Sequence, residues 1–362
     1  MRGRARIAAI VCLMTAVLVL PSAASALTKT VYTGVPKALA LKIAPKVLGK
    51  GVGALVQKYS PAFLAFFNPT VTIHQGDSVK WVGLSSNFHT VDLPGARGHD
   101  LSLFVPGATV TGVNDFAGNP FWFDGVKPSA QSNPVLNSQS GGHVYNGSKR
   151  IDSGLGNSNT LNVKFTKPGV YKYFCDIHPG MIGYVVVRAK RKPIPSAKQD
   201  AATLQKDITR DLLLVKKLTS TKVPADHVSA GAVAADGVEL FHFFPATLSV
   251  KAGTVVTFSV ARGSRVEGHT ASFGPAGYLA ALSNSSSDAA TQQTVFPSSN
   301  PALGPIQVSP TSHGNGFANT GLLINEPTSS FPKSEKIDFT TPGTYHFQCL
   351  IHPFMTGTII VH

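Results

Sequence analysis

The sequence predicts an all-β protein built as two tandem sandwiches or barrels. Its 362 residues favour two domains over one. Short segments of alternating polar and apolar residues recur between Gly-, Pro- and Asp-containing turns, as strands of a sandwich or barrel do. One seven-residue stretch also occurs twice, as Cys175-Asp176-Ile177-His178-Pro179-Gly180-Met181 and as Cys349-Leu350-Ile351-His352-Pro353-Phe354-Met355. A period this long means tandem domains, because solenoid repeats are far shorter.

The N-terminus reads as a secretory signal over residues 1–26. Arg2, Arg4 and Arg6 form a basic n-region, Ile7 to Leu20 an apolar h-region, and Ala24-Ser25-Ala26 a small-residue cleavage site. Cys12 would leave with it. The first domain is expected over 27–190. Lys29 to Tyr32 is a short strand. Residues 36–58 break the pattern with one or two short helices, interrupted by Pro45 and by Gly51 to Gly53. They are expected to pack on the side of the barrel, with a basic membrane- or partner-facing surface as the alternative. Val71 to His74 and Ser78 to Val82 alternate on either side of a Gln75-Gly76-Asp77 turn, with Trp81 as a core residue. Residues 94–160 read as long loops. Leu161 to Phe165 and Val170 to Phe174 are strands leading into Cys175, and Gly183 to Val187 closes the unit.

A linker is expected over 191–224. In it Leu204, Ile208, Leu212, Val215 and Leu218 recur at helical spacing. The second domain, 225–362, repeats the first. Lys251 to Phe258 matches the first Gly turn and its strand. His269 stands in Glu267-Gly268-His269-Thr270 as His89 stands in Asn87-Phe88-His89-Thr90. Residues 275–335 form a second long insertion, and Lys336 to Phe347 runs into Cys349.

The formal charge is +14, and loss of the three signal arginines leaves +11. That excess favours an anionic partner or cell surface and says nothing of the fold. No aromatic-basic interleaving of a nucleic-acid-binding kind occurs. Of three cysteines, only Cys175 and Cys349 would remain after export. They stand in equivalent contexts, one per repeat, which makes them two separate ligands and not one disulfide.

Each repeat places a thiolate, an imidazole and a thioether within seven residues. These soft and borderline donors suit copper. Three ligands come from one loop, so the fourth must come from another strand, and His89 and His269 are the candidates. The expected metal sites are therefore His89, Cys175, His178 and Met181, and His269, Cys349, His352 and Met355, with one copper ion each. Two imidazoles, a thiolate and a weak axial thioether make a blue-copper electron-transfer site. Pro179 and Pro353 stiffen the loops by fixing one torsion beside each histidine.

With these residues in place, both units resemble the plastocyanin/azurin family of small blue-copper proteins, the cupredoxins, and the ligand loops look most like that of amicyanin. The resemblance implies two Greek-key β-sandwiches with copper at one end. It also implies that His178 and His352 are partly exposed ligands through which electrons pass, and that Phe354 belongs to an apolar docking patch. Family members often carry Asn after the first histidine as a brace. Thr90 and Thr270 stand there, so the brace is altered or lost. Asp176 puts a carboxylate beside the first thiolate where the second has Leu350, which predicts a lower reduction potential for the first site.

The function expected is that of an exported two-copper electron carrier with a redox partner protein. Multicopper oxidases and nitrite reductases are also built from tandem domains of this kind, but they need a further copper. That copper is usually wired through a His next to the ligand Cys, and here the neighbours are Phe174, Asp176, Gln348 and Leu350. No His-x-His pair occurs. Extracellular copper storage or delivery is a third reading. The remaining histidines, among them His99, His143 and His313, read as surface or structural.

Overall fold

A computed structural model describes residues 26–362 apart from 85–87, 96–100, 127–128, 157, 179, 263–266 and 326–329. The expected signal segment up to residue 25, Cys12, Asn87, His99 and Pro179 lie outside the described residues.

Two pairs of sheets repeat the same strand order. In the first unit, one sheet runs Phe66–Phe67, Thr28–Thr33, Ser78–Val82, Thr160–Phe165, Val144–Tyr145. Its facing sheet runs Ile151–Asp152, Asp92–Leu93, Gly169–Phe174, Ile182–Arg188, Thr70–His74. In the second unit, Val238–Phe244, His227–Val233, Thr254–Val260, Ser334–Phe339 and Ile306–Val308 form one sheet. Thr247–Val250, Thr356–Val361, Gly343–Gln348, Ser272–Phe273 and Ala318–Asn319 form the other. Thr28–Thr33 runs parallel to Ser78–Val82, and His227–Val233 runs parallel to Thr254–Val260.

The alternation in the sequence sets the register. Val79 and Trp81 point inward from Ser78–Val82 while Lys80 points out, and Leu161, Val163 and Phe165 do the same on the neighbouring strand. A slip of one residue would expose all of them. Trp81 lies at the centre of the first core, edge-on to Tyr173. Phe258, Phe339 and Phe347 fill the second.

Helices α1 (Lys37–Leu48) and α2 (Val52–Tyr59) occupy the segment expected to be helical. Pro45 does not interrupt it. α1 runs through Pro45 and ends at Gly49, whose φ of 83° suits a residue without a side chain. The helix tolerates the missing donor because Ile43 and Ala44 pack against the linker helix α3 (Ala197–Leu218). Ser196 and Gln199 form a capping box at the start of α3. Its predicted apolar stripe is shared between the units. Leu204, Ile208 and Leu212 pack with α1 and Phe67, and Val215 packs with Val238, Leu240 and Phe244.

Two features tie the halves together and were not expected. Pro61–Phe63, from the first unit, adds an edge strand to the second unit's sheet by pairing with Val238–Leu240. The first insertion also reaches across: Phe121 and Phe123 pack with Leu279, Phe317 and Leu350, and the Trp122 indole donates to the Pro297 carbonyl at 2.7 Å. The second insertion is partly helical, with α4 (Ala276–Asn284) and α5 (Asp288–Val295). Among the described residues no helix is long and apolar enough to cross a membrane.

Candidate metal centres

The strand Gly169–Phe174 delivers Cys175 at the sheet end, and the chain turns back to Ile182–Arg188 through His178 and Met181. Two backbone hydrogen bonds close the turn: Cys175 N–H to the Met181 carbonyl and Met181 N–H to the His178 carbonyl, both 3.0 Å. The second loop repeats them, with Cys349 to Met355 at 3.0 Å and Met355 to His352 at 2.8 Å. Both methionine side chains are buried.

His89 and His269 come from the loop that enters the facing sheet, and both meet the Cys loop. In the first centre, the Nδ1 atoms of His89 and His178 lie 2.8 Å apart, and Cys175 Sγ lies 3.9 and 3.3 Å from them. In the second, the Nδ1 atoms of His269 and His352 are 3.2 Å apart, with Cys349 Sγ at 3.9 and 3.7 Å. A metal bound about 2.0 Å from nitrogen and about 2.3 Å from sulfur fits inside triangles of this size. Two imidazoles and a thiolate, converging where water is excluded, are therefore a donor set that fits a copper ion. Both cysteines are free thiols, as two separate ligands require.

Burial alone would raise the Cys349 thiol pKa. Hydrogen bonds from His269 and His352 and their charges outweigh burial and hold it well below its usual value, so the thiolate a metal needs is already favoured.

The threonines preserve a brace in altered form. Thr90 Oγ1 accepts from Asp176 N–H and Thr270 Oγ1 accepts from Leu350 N–H, both at 2.8 Å. Each threonine N–H also points at the cysteine sulfur at 3.4 Å. The hydroxyl thus fixes the residue after each cysteine.

Three expectations need correction. His178 is not a partly exposed ligand: it is 3% exposed, because the second unit covers it, while His352 is 12% exposed. Asp176 is not a lone carboxylate. It accepts from Thr90 Oγ1 and Leu101 N–H and pairs with Arg150, which also contacts Asp92 and Asp152. Burial and the neighbouring Asp152 push Asp176 up to about 6. The second centre has a carboxylate of its own, since the fully buried Glu239 accepts from His269 Nε2 at 3.0 Å. A carboxylate thus stands near each centre, beside the thiolate in the first and on the imidazole in the second.

Sequence reasoning missed Glu239, Glu267, Gly231 and Phe241. Glu239 had a signal, a charged residue inside the apolar run Val238-Glu239-Leu240-Phe241, where a buried charge needs a partner. Gly231 forms a bulge on the neighbouring strand, with φ of 87°; a Cβ there would stand 2.6 Å from Glu239 Oε1. The glycine therefore makes room for the Glu239–His269 pair. The Phe241 ring lies 4.4 Å from that of His352 and 5.5 Å from that of His269.

Glu267 lies between the centres. Its Oε2 is 2.8 Å from His178 Nε2 and its Oε1 is 3.8 Å from His352 Nε2. Burial would raise its pKa, but the charge and hydrogen bond of His178, with His352 and His269 behind it, hold it down to about 2. A cavity of about 190 Å³ opens beside it, between Asp176, Ile177 and Ile351.

Of the other histidines, His143 bonds the Asn162 carbonyl and His313 packs on Phe121 near Asp115. Neither belongs to a metal-sized cluster among the described residues. The one further cluster there, Asp92, Asp152 and Asp176, surrounds Arg150.

Residues 54–188 match the family of copper binding proteins, plastocyanin/azurin family. No curated protein matches the chain. Among solved structures, the chain is similar to a reduced Cu(I) form of an amicyanin variant at 17% identity, over 40% of this chain and 89% of that one, with a TM-score of 0.21. It is similar to oxidized plastocyanin from Dryopteris crassirhizoma at 24% identity, over 38% of this chain and 99% of that one, with a TM-score of 0.21.

Proposed function

We propose, from the premise that the chain is cupredoxin-like, that it is an exported electron-transfer protein holding two copper ions, one in each unit. The observation that carries this reading is the same donor set built twice: two imidazole Nδ1 atoms and a thiolate within 3.9 Å of one another, buried but for the partly exposed His352. His89, Cys175 and His178 would hold the first ion, and His269, Cys349 and His352 the second. Met181 and Met355, buried at the loop ends, would be weak axial ligands. Copper bound there supplies one-electron chemistry. The chain's part is to hold the ligands so that they move little when the charge changes. The loop hydrogen bonds, the threonine hydroxyls and the buried cores do that work.

The second ligand loop offers the open edge. Phe354 is 60% exposed beside Phe241 and His352, and Ile351 is exposed next to it. This apolar rim would receive a redox partner protein, and the chain's positive charge would favour an anionic one. The basic, apolar and small-residue order of residues 1–26 supports export to the cell envelope or beyond, where an association with the cell surface fits the same charge. Two domains would extend over 27–190 and 225–362, joined by 191–224, although Pro61–Phe63 crosses from the first into the second sheet.

Visible and EPR spectra of the oxidised, copper-loaded chain test the proposal, together with Cys175→Ala and Cys349→Ala. Two thiolate-to-copper signals are expected, each abolished by one substitution. Copper of ordinary type in both halves, or copper(I) that exchanges freely and gives no colour on oxidation, would sink it in favour of storage or delivery. A third tightly held copper would favour the oxidase or reductase reading.

A further inference from the structure

We infer that Glu267 joins the two centres into one coupled pair, carrying electrons between them along a path with a single non-covalent step. This rests on reading both centres as copper sites.

The geometry gives the path. When Nδ1 of a ligand histidine faces the metal, Nε2 carries the proton and must donate it elsewhere. His178 Nε2 meets Glu267 Oε2 at 2.8 Å, a close ion-pair contact in a buried setting. From Glu267 the chain continues through Gly268 to His269, a ligand residue of the other centre. One 2.8 Å ion-pair contact and a short covalent run thus connect the candidate ligands of both units. A second branch leads from Glu267 Oε1 to His352 Nε2, but at 3.8 Å it is an ion-pair contact and no hydrogen bond.

Glu267 is fixed for this role. Its backbone N–H donates to Glu239 Oε2 at 3.0 Å, and the other oxygen of Glu239 holds His269 Nε2. Its side chain is 18% exposed, so water competes little for the carboxylate. Phe63 and Ala62, from the first unit, pair with Val238 and Glu239, so the strand that carries Glu239 is shared by both units. In the exchange, one electron leaves one centre and one arrives at the other. No bond forms or breaks, and the Nε2 protons stay in place.

The arrangement also assigns the two ends. Phe354 is exposed beside His352, which is itself 12% exposed, whereas His178 is 3% exposed. Electrons would enter at the second loop and reach the first centre from inside.

The test uses the full chain, copper-loaded and oxidised, with one electron per molecule injected by a photoreductant. Exchange is followed through the two bands assigned by Cys175→Ala and Cys349→Ala. In the wild type, the bands should re-equilibrate at a rate independent of protein concentration. Glu267→Leu should slow this by about tenfold or more, equivalent to about 1.4 kcal/mol, while leaving both bands in place. Glu267→Gln, which keeps the shape and one acceptor oxygen, should fall between the two and decides the matter if the leucine variant does not fold. A wild-type rate in the variants that fold, or exchange that scales with protein concentration, overturns the coupling and leaves the copper reading intact. Absence of both bands in the wild type overturns the copper reading itself.

Discussion

Glu239→Gln perturbs one buried carboxylate at one centre and uses the other as a control. Glu239 is fully buried and accepts from His269 Nε2 and from Glu267 N–H, both at 3.0 Å. The carboxylate orients the imidazole and makes it a stronger donor to the metal. An amide of the same shape removes the charge and leaves an NH2 group for which the site has no acceptor. Loss of such a partner costs about 10–100-fold in metal affinity, or about 1.4–2.7 kcal/mol. Competitive titration of Cu(II) against a chelator, read at each centre's own band, should show weaker binding at the second centre and wild-type binding at the first. The second centre's reduction potential should rise, because the lost negative charge favoured copper(II). Gly231→Ala should give the same signature, since its methyl group would press on Glu239 Oε1. Equal affinities in Glu239→Gln and wild type would refute the claim that this carboxylate supports the ligand.

Three further outcomes are expected. Thr270→Val keeps the shape but deprives Leu350 N–H of its acceptor, which should cost about 1–3 kcal/mol and broaden the second centre's EPR signal without touching the first. Ile208→Ala opens a cavity under α3 and should lower stability by about 2–5 kcal/mol, seen as a lower denaturant midpoint with an unchanged m value. Asp211, on the same helix, is pushed up to about 6 by burial, against the hydrogen bond and charge of Arg210, with Asp236 and Asp207 nearby. Its folded pKa lies above its unfolded one, so the folded state holds the proton longer and stability should fall as pH rises from about 4 to about 6, by about 3 kcal/mol at most. Asp211→Asn should flatten that part of the thermal-midpoint profile.

The repeat made the fold and the candidate ligand clusters legible. Ser78 to Val82 and Thr160 to Phe165 alternate because one face of each strand is core, and this pattern is local. The Cys-x2-His-x2-Met spacing is local too, and His89 and His269 were found by matching one half against the other. The contacts between halves were not legible. Pro61-Ala62-Phe63 carries a proline and is only three residues long, so nothing marks it as a strand until Val238–Leu240 is beside it. Ser287, which caps α5, was a usable signal, but α5 has no apolar stripe to confirm it. Glu267 could be read only as a residue near a candidate ligand; its meeting with His178, from the other unit, is a property of the assembled pair. The burial of His178 follows from the same packing, which nothing local to its loop encodes.

X-ray absorption at the copper edge tests the central claim most directly, on the copper-loaded chain and on Cys175→Ala and Cys349→Ala. Two ions per chain, each with two nitrogen neighbours and one short sulfur bond, are predicted, with half of the sulfur signal lost in either variant. A shell of nitrogen and oxygen alone, unchanged by both substitutions, would contradict it.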